Sequence, residues 1–270
     1  MTRNRLDLEL VRRGLVTTPA EAREAVDAGR VTVAGRPAVR TETLVAPAEA
    51  LAVAGPGPLY ASRGGDKLAV ALSRLGVDPA GRRCLDAGAS TGGFTDVLLS
   101  RGAAQVLAVD VGYGQLAWPL RTDERVVVLE RTNVRDLLPD DLPFRPDLLT
   151  ADLSFISLTK VIPALVGIAT TDADLVLLVK PQFEAARGEV AAGGVVDDPR
   201  VWRRTLESVV TACITADAGP RAVVPSPLPG PAGNVEFFLH SRVGGRTRGV
   251  DLEQALLEGQ KLRAAKGGAI

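Results

Sequence analysis

The stretch Cys84-Leu85-Asp86-Ala87-Gly88-Ala89-Ser90-Thr91-Gly92-Gly93-Phe94 decides the fold. The run from Cys84 to Asp86 reads as a buried strand, and the glycines after it form a tight turn that opens a helix. At such a junction unpaired backbone N–H groups and a side-chain carboxylate converge on one crevice, and glycines let a ligand touch the backbone. A second apolar run, Gln105 to Val109, ends in Asp110. An acid about twenty residues after a glycine turn is where nucleotide-binding folds place the carboxylate that accepts both ribose hydroxyls.

The glycine spacing narrows the ligand. A dinucleotide turn reads G-x-G-x-x-G, whereas this one reads Gly88-x-x-x-Gly92-Gly93, so a nucleotide without a pyrophosphate fits better. S-adenosylmethionine is such a ligand: its ribose would meet Asp110, and its amino-acid end would lie near Asp86 and the turn backbone. The expected cofactor contacts are Asp86, Gly88, Ala89, Ser90, Thr91, Gly92, Gly93, Phe94, Asp110 and Asp152. The bland alternative is a glycine-rich helix–strand connection that holds nothing.

Around this turn, apolar strands alternate with helical stretches: Arg83 to Asp86, Val106 to Asp110, Val126 to Leu129, Leu148 to Asp152, Leu175 to Lys180 and Val235 to His240. That alternation predicts an α/β fold with a mostly parallel, doubly wound sheet, whose ligands bind outside the strands' carboxyl ends. A helix from Asp66 to Leu75, closed by Gly76, precedes the first strand. Upstream, Gly55-Pro56-Gly57-Pro58 interrupts any regular element, which sets the expected boundaries: a small module over 1–57, a linker over 58–63 and a large domain over 64–270.

The small module reads as helix, helix, hairpin, an α+β unit. Leu6, Leu10 and Val11 share one face of a first helix that stops near Gly14. Thr18-Pro19-Ala20-Glu21 is a capping box for a second, which Gly29 ends. Ala34-Gly35-Arg36-Pro37 is the turn expected between Val31–Val33 and Ala38–Arg40. Eight arginines stand against five acids across residues 1–40. Arg3, Arg5, Arg12, Arg13, Arg23, Arg30 and Arg36, with Arg63 of the linker, are the candidate phosphate contacts. A solvated helical face is the alternative.

Composition limits the remaining options. The 270 residues carry 32 basic and 32 acidic side chains, so RNA contact depends on local clustering and not on net charge. Two cysteines, Cys84 and Cys213, form no metal or disulfide pattern and suit a reducing, cytoplasmic setting. No metal site is readable. The sole histidine, His240, lies in an apolar strand, which disfavours a Ser-His-Asp triad. The amino terminus lacks a secretory core, and no apolar run approaches the length of a membrane span.

Only five lysines occur, and two of them, Lys67 and Lys180, accompany acids near expected strand ends. Asp152 and Lys180 close their strands and point into one crevice. Each is followed by a loop aromatic, Phe155 or Phe183. Glu236 joins them if the last strand runs antiparallel. Transfer of a methyl group to a ribose hydroxyl needs a base or a cationic field at the oxygen. A neutral amine serves, and a second cation with partial burial can bring a lysine from about 10.4 toward roughly 7–8. The catalytic candidates are therefore Lys180 as base or oxyanion stabiliser, Lys67 as tuning cation, and Asp152 and Glu236 as orienting acids. Ordinary ion pairs at the sheet edge are the structural alternative.

Two resemblances bear on these readings. The pattern Leu10-Val11-Arg12-Arg13-Gly14-Leu15, followed by Ala22-x-x-Ala25-Val26-x-Ala28-Gly29-Arg30-Val31, resembles the S4 type of RNA-binding domain. The order Lys67, Asp152, Lys180, Glu236 resembles the tetrad of FtsJ-like RNA 2′-O-methyltransferases. Ser62-Arg63-Gly64-Gly65-Asp66-Lys67-Leu68, the Asp86–Phe94 turn, Asp110–Leu116, Ala151–Ser157 and Val179–Phe183 look like the TlyA family. That resemblance covers nearly the whole chain. It implies a Rossmann-like class I methyltransferase that modifies cytidine ribose in 16S and 23S rRNA of 30S and 50S subunits, with S-adenosylmethionine as cofactor and no obligate protein partner. One departure is Pro58-Leu59-Tyr60-Ala61, where a member of the family has a Trp flanked by basic and small residues. A haemolysin label within the family suggests a membrane-active protein, which the absence of a barrel-like strand series or spanning helix disfavours. A non-catalytic ribosome-assembly factor is disfavoured by the four tetrad residue types.

Overall fold

The computed structural model describes residues 3–54 and 59–267, so the proline-glycine linker signal at Gly55–Pro58 lies outside the described residues. The chain divides into two compact units, Met1–Ser62 and Arg63–Ile270.

In the first unit, helices α1 (Leu6–Arg12) and α2 (Pro19–Asp27) pack together, and Leu6, Leu10, Ala22, Ala25 and Val26 form a core with Val31 and Val45. Val11, expected on the same face as Leu6 and Leu10, is only half-buried. The Thr18 hydroxyl caps α2 by accepting the Glu21 N–H at 3.1 Å. The Glu21 carboxylate reaches past Thr18 and takes the N–H and hydroxyl of Thr17, both at 2.6 Å. Short strands follow: β1 (Asn4–Arg5), β2 (Val31–Val33), β3 (Arg36–Pro37), β4 (Leu44–Val45) and β5 (Leu51–Val53). The hairpin is tighter than the sequence suggested. Val33 pairs with Arg36, so the turn is Ala34-Gly35 alone, with φ of 50° and 78°. Both central residues in the left-handed region match the right-handed twist of the strands.

The second unit is built on a seven-stranded sheet of order β11-β12-β10-β9-β6-β7-β8. Its parallel strands are β6 (Arg83–Ala87), β7 (Gln105–Val109), β8 (Val126–Leu129), β9 (Leu148–Ala151) and β10 (Asp174–Val179). The antiparallel pair β11 (Ala218–Pro225) and β12 (Phe237–Val243) completes the sheet beside β10. Leu149, Leu175 and Leu177 pack with α6 (Ile162–Ile168) and α8 (Pro199–Thr215). The alternate residues Leu148, Val176 and Leu178 are equally buried. Both faces are therefore covered, which explains the continuous apolar runs of these strands. Each fully buried leucine contributes roughly 2 kcal/mol.

The remaining helices are α3 (Arg63–Leu75), α4 (Gly93–Ser100), α5 (Trp118–Arg121), α7 (Pro181–Glu184) and α9 (Leu252–Gly267). Helix α3 starts about one turn earlier than expected, which puts Lys67 in its second turn and not its first. It packs against α4, the helix that the glycine turn opens.

Candidate active site

The parallel strands β6, β7, β9 and β10 end at one edge of the sheet. The pairs Ala87↔Val109 and Ala87↔Ala151 bring Gly88, Asp110 and Asp152, each the next residue outward, to that edge side by side. Strand β12 runs the other way and pairs Val179 with Phe237, so Lys180 and Glu236 stand opposite one another at the same edge. A cavity of about 510 Å3 opens there, lined by Gly88, Ser90, Asp110, Gln115, Asn133 and Asp152 among others. Its size lies in the range of nucleotide-sized ligand sites.

The glycine turn is a tightly wound connection. Gly88, Ser90 and Gly92 have φ of 85°, 48° and 100°. A Cβ at Gly88 would lie 2.5 Å from the Asp152 carbonyl oxygen, so only glycine permits β6 and β9 to end this close together. At Gly92 a Cβ would strike the Leu120 and Leu116 side chains. Of the cofactor contacts expected from sequence, Gly88, Ser90, Asp110 and Asp152 stand on the cavity wall. Ala89, Thr91, Gly92, Gly93 and Phe94 do not: they shape the turn or pack beneath it, Phe94 against Phe238 with ring centroids 6.0 Å apart.

Asp86 also departs from expectation. It is fully buried, one oxygen accepting from the Thr95 hydroxyl at 2.8 Å and the other from Thr150 at 3.4 Å. Burial pushes its carboxyl up to about 7. Asp86 thus braces the turn from below and does not line the cavity, because the side chain of a buried strand residue points into the layer that covers the sheet.

Asp110 is differently placed. Its Oδ2 accepts the Ser90 N–H at 2.8 Å and its Oδ1 the Gly112 N–H at 2.6 Å, which fixes the carboxylate plane at the cavity wall. A carboxylate oxygen can accept more than one hydrogen bond, so both keep capacity for a vicinal diol. Beside it, Thr132 and Asn133 follow β8: Thr132 donates its N–H to the Asp110 carbonyl at 2.9 Å, and the Asn133 side chain accepts the Arg135 N–H at 3.2 Å. The sequence reading stopped at the end of β8 and missed these two. The rule that ligands gather beyond strand carboxyl ends would have found them.

Two ion pairs gather at this strand-end edge. Lys180 pairs with Asp152 and donates to the Ser154 hydroxyl at 3.2 Å. Lys67, from α3, donates to Glu236 at 2.7 Å in a pair whose side chains are 9% and 1% exposed. All four catalytic candidates are thereby gathered at one sheet edge, with Asp152 on the cavity wall, Lys180 paired to it, and Lys67–Glu236 buried. A buried pair of this kind stabilises little once desolvation is counted, though removing one partner is costly. Phe155, with φ of 64° and 92% exposed, projects from the loop after β9 and contacts the Phe183 ring at 5.2 Å between centroids.

In the first unit the candidate arginines divide. Arg3, Arg23 and Arg36 are exposed, whereas Arg30 is half-buried. Arg5 and Arg12 are exposed but paired with Asp7 and Glu9 at 2.7 and 2.6 Å. Arg13 is a correction. It binds Glu9 at 2.8 Å and donates to the carbonyls of Ala46, Pro47 and Glu49, so its guanidinium is spent on holding the unit together. Arg63, expected in a linker, is the first residue of α3 and half-buried.

Comparison with known proteins agrees with this geometry. The model of the FtsJ-like methyltransferase family matches residues 60–243, and that of the S4 domain matches residues 4–49. The chain belongs to the FtsJ-like methyltransferase family. It is 55% identical over 241 residues to the 16S/23S rRNA (cytidine-2′-O)-methyltransferase TlyA of Mycobacterium tuberculosis, covering 89% of this chain and 90% of that one. To the 23S rRNA (cytidine-2′-O)-methyltransferase TlyA of Campylobacter jejuni it is 33% identical over 183 residues, 67% of this chain and 70% of the other. A solved structure described as a candidate hemolysin of Streptococcus thermophilus superposes with a TM-score of 0.80 at 33% identity, covering 99% of both chains. As a member of the FtsJ-like family the protein is a methyltransferase with a Rossmann-like α/β fold and an S4 domain. Among the described residues no helix is long and apolar enough to cross a membrane, and no cluster of metal-ligating side chains occurs.

Proposed function

We propose that the protein methylates the 2′ hydroxyl of cytidines in 16S and 23S rRNA, acting on 30S and 50S subunits in the cytoplasm with S-adenosylmethionine as methyl donor. The observation that carries this reading is the pairing of Lys180–Asp152 and Lys67–Glu236 at neighbouring strand ends beside a nucleotide-sized cavity.

The residues of the wall fit the donor. Asp110, its plane fixed by two backbone N–H groups, accepts the ribose hydroxyls, and Gly88 and Ser90 bring backbone to the ligand surface. When bound, S-adenosylmethionine supplies an electrophilic methyl on a sulfonium. Asp152 orients the Lys180 amine, whose Nζ takes the proton of the attacking hydroxyl or holds the oxygen's developing charge. Glu236 keeps the Lys67 cation in place behind it. Phe155 offers a ring face on which an unstacked base can lie. Arg3, Arg23, Arg36 and their neighbours give the S4 domain a phosphate-binding surface that positions RNA without reading its sequence.

The two TlyA relatives differ in their named targets, and the match that spans more of this chain is the 16S/23S enzyme. Incubation with S-adenosylmethionine and separate 30S and 50S subunits, followed by ribose-methylation mapping, tests the reading. New 2′-O-methylcytidine in both rRNAs is expected. Methylation of 23S alone would remove the small subunit, and none in either would overturn the proposal.

A further inference from the structure

The turn after β10 holds a residue that the chemistry above does not use. Gln182 lies two residues beyond Lys180 in α7, and its Nε2 donates to Glu236 Oε1 at 3.2 Å. The other oxygen of that carboxylate takes Lys67 at 2.7 Å. Gly230 closes a third side, since a Cβ there would lie 2.5 Å from Glu236 Oε1. We propose that Gln182 is a positioning residue for methyl transfer: by tethering Glu236 against Lys67 it sets the field that this ion pair exerts at Lys180. The inference rests on the role given to Lys180 above.

Strand register makes the tether possible. Because Val179 pairs with Phe237, the first turn beyond Lys180 folds over the start of β12, and the second residue of that turn meets Glu236. Chemistry fixes the amide's orientation, as a carboxylate accepts and the NH2 group must face it. The opposite end, Oε1, is buried without a hydrogen-bond partner among the described residues. A residue kept for packing alone would do better without a buried unpaired carbonyl. The amide makes sense at this position through its N–H toward Glu236. It also holds the carboxylate without adding charge beside two ammonium groups and two carboxylates, Lys67, Lys180, Asp152 and Glu236. Without the tether, Glu236 could rotate away from Lys67 and compete with Asp152 for Lys180.

The test uses the full chain with Gln182→Ala and Gln182→Glu, measuring kcat and KM on ribosomal RNA, S-adenosylmethionine affinity by calorimetry, thermal midpoint, and the pH profile of kcat. Gln182→Ala should lower kcat about tenfold while KM and cofactor affinity stay within about twofold. Gln182→Glu keeps the shape but adds a negative charge, and should move the acid limb of the profile up by about one pH unit. Parallel losses of kcat, affinity and midpoint with an unmoved acid limb would make the residue structural and overturn the inference, as would wild-type kinetics in both variants. If Gln182→Ala does not fold, the profile of Gln182→Glu decides alone. Lys180→Ala separates the two levels: retained activity sinks the role of Lys180, whereas an inactive Lys180→Ala beside wild-type Gln182 variants sinks only the tether.

Discussion

Both strand-end edges of the central sheet carry charge networks, yet they differ in how far their charges are satisfied, and one of them borders the cavity proposed to hold the methyl donor. At the edge remote from the cavity, Arg82 reaches Asp147 at 3.0 Å and Asp174 at 2.7 Å, and His240 meets Asp174 at 2.8 Å. Burial opposes ionisation of Asp174, but the bonds from His240 and Arg82 outweigh it and hold the carboxyl below its ordinary value. This cluster is self-satisfied. The cavity edge instead keeps costs that packing does not relieve: a carboxyl raised to about 7 at Asp86, and an exposed phenylalanine, Phe155, held in left-handed backbone, whereas the left-handed residues Asp172 and Asp217 of the remote edge are of a type that tolerates that region. Ion pairs alone do not mark a site; unrelieved strain and desolvation beside a cavity do.

The sharpest way to break this contrast is to cut one ion pair at each edge. Lys180→Ala should reduce methyl transfer by about 10²- to 10⁴-fold, the range of a lost general base, with cofactor affinity little changed in calorimetry. Arg82→Ala should leave kcat within about twofold yet cost about 1–3 kcal/mol in denaturant unfolding, because Asp147 and Asp174 lose their shared cation. A dead Arg82→Ala enzyme that folds normally would erase the distinction. Asp110→Ala comes next, with cofactor affinity weaker by about 10- to 100-fold, as a charged hydrogen-bond acceptor is lost. Unchanged binding heats would show that the ribose sits elsewhere.

How much of this was legible in the sequence follows from the range of the interactions involved. Period and punctuation are local, so the glycine turn, the parallel strands and the acids and lysines at their ends were readable, and Glu236 joined them once β12 was taken as antiparallel. Strand β11 was not seen, because Gly219, Pro220 and Pro225 demote a strand reading and are tolerated only at an edge. Nor could the turn's glycines be sorted by eye. Gly88 faces the cavity and Gly92 faces Leu116 and Leu120, a difference that depends on a helix more than twenty residues downstream. The same holds for Asp86, whose burial by Thr95 and Thr150 no local pattern announces.

The two edges should also respond to pH with opposite sign. The Asp86 proton is retained in the folded state up to about 7 but lost from the unfolded chain near 3.8. Its stabilising contribution is therefore complete below the lower value and disappears as pH rises through the higher. Asp174 works the other way: with its folded value depressed, its contribution is present above the unfolded value and lost on further acidification. Asp86→Asn should flatten the decline in unfolding free energy between pH 4 and 7, while Asp174→Asn should reduce acid sensitivity below that window. Equal slopes in wild type and Asp86→Asn would place the titration elsewhere.

The same contrast extends to single arginines of the small unit, where the expected effects are smallest. Arg13 spends its guanidinium on Glu9 and three backbone carbonyls, and Arg12 and Arg13 together hold the Glu9 carboxyl well below its ordinary range. Arg23 is exposed on α2. If satisfied charge builds structure and exposed charge meets phosphate, Arg13→Ala should lower the thermal midpoint of this unit and leave the salt dependence of RNA binding as it was. Arg23→Ala should do the reverse: an unchanged midpoint, and a slope of log K against log salt shallower by about one. A shallower slope for Arg13→Ala with none for Arg23→Ala would mean that RNA approaches the small unit from the face where α1 meets the Ala46–Glu49 carbonyls.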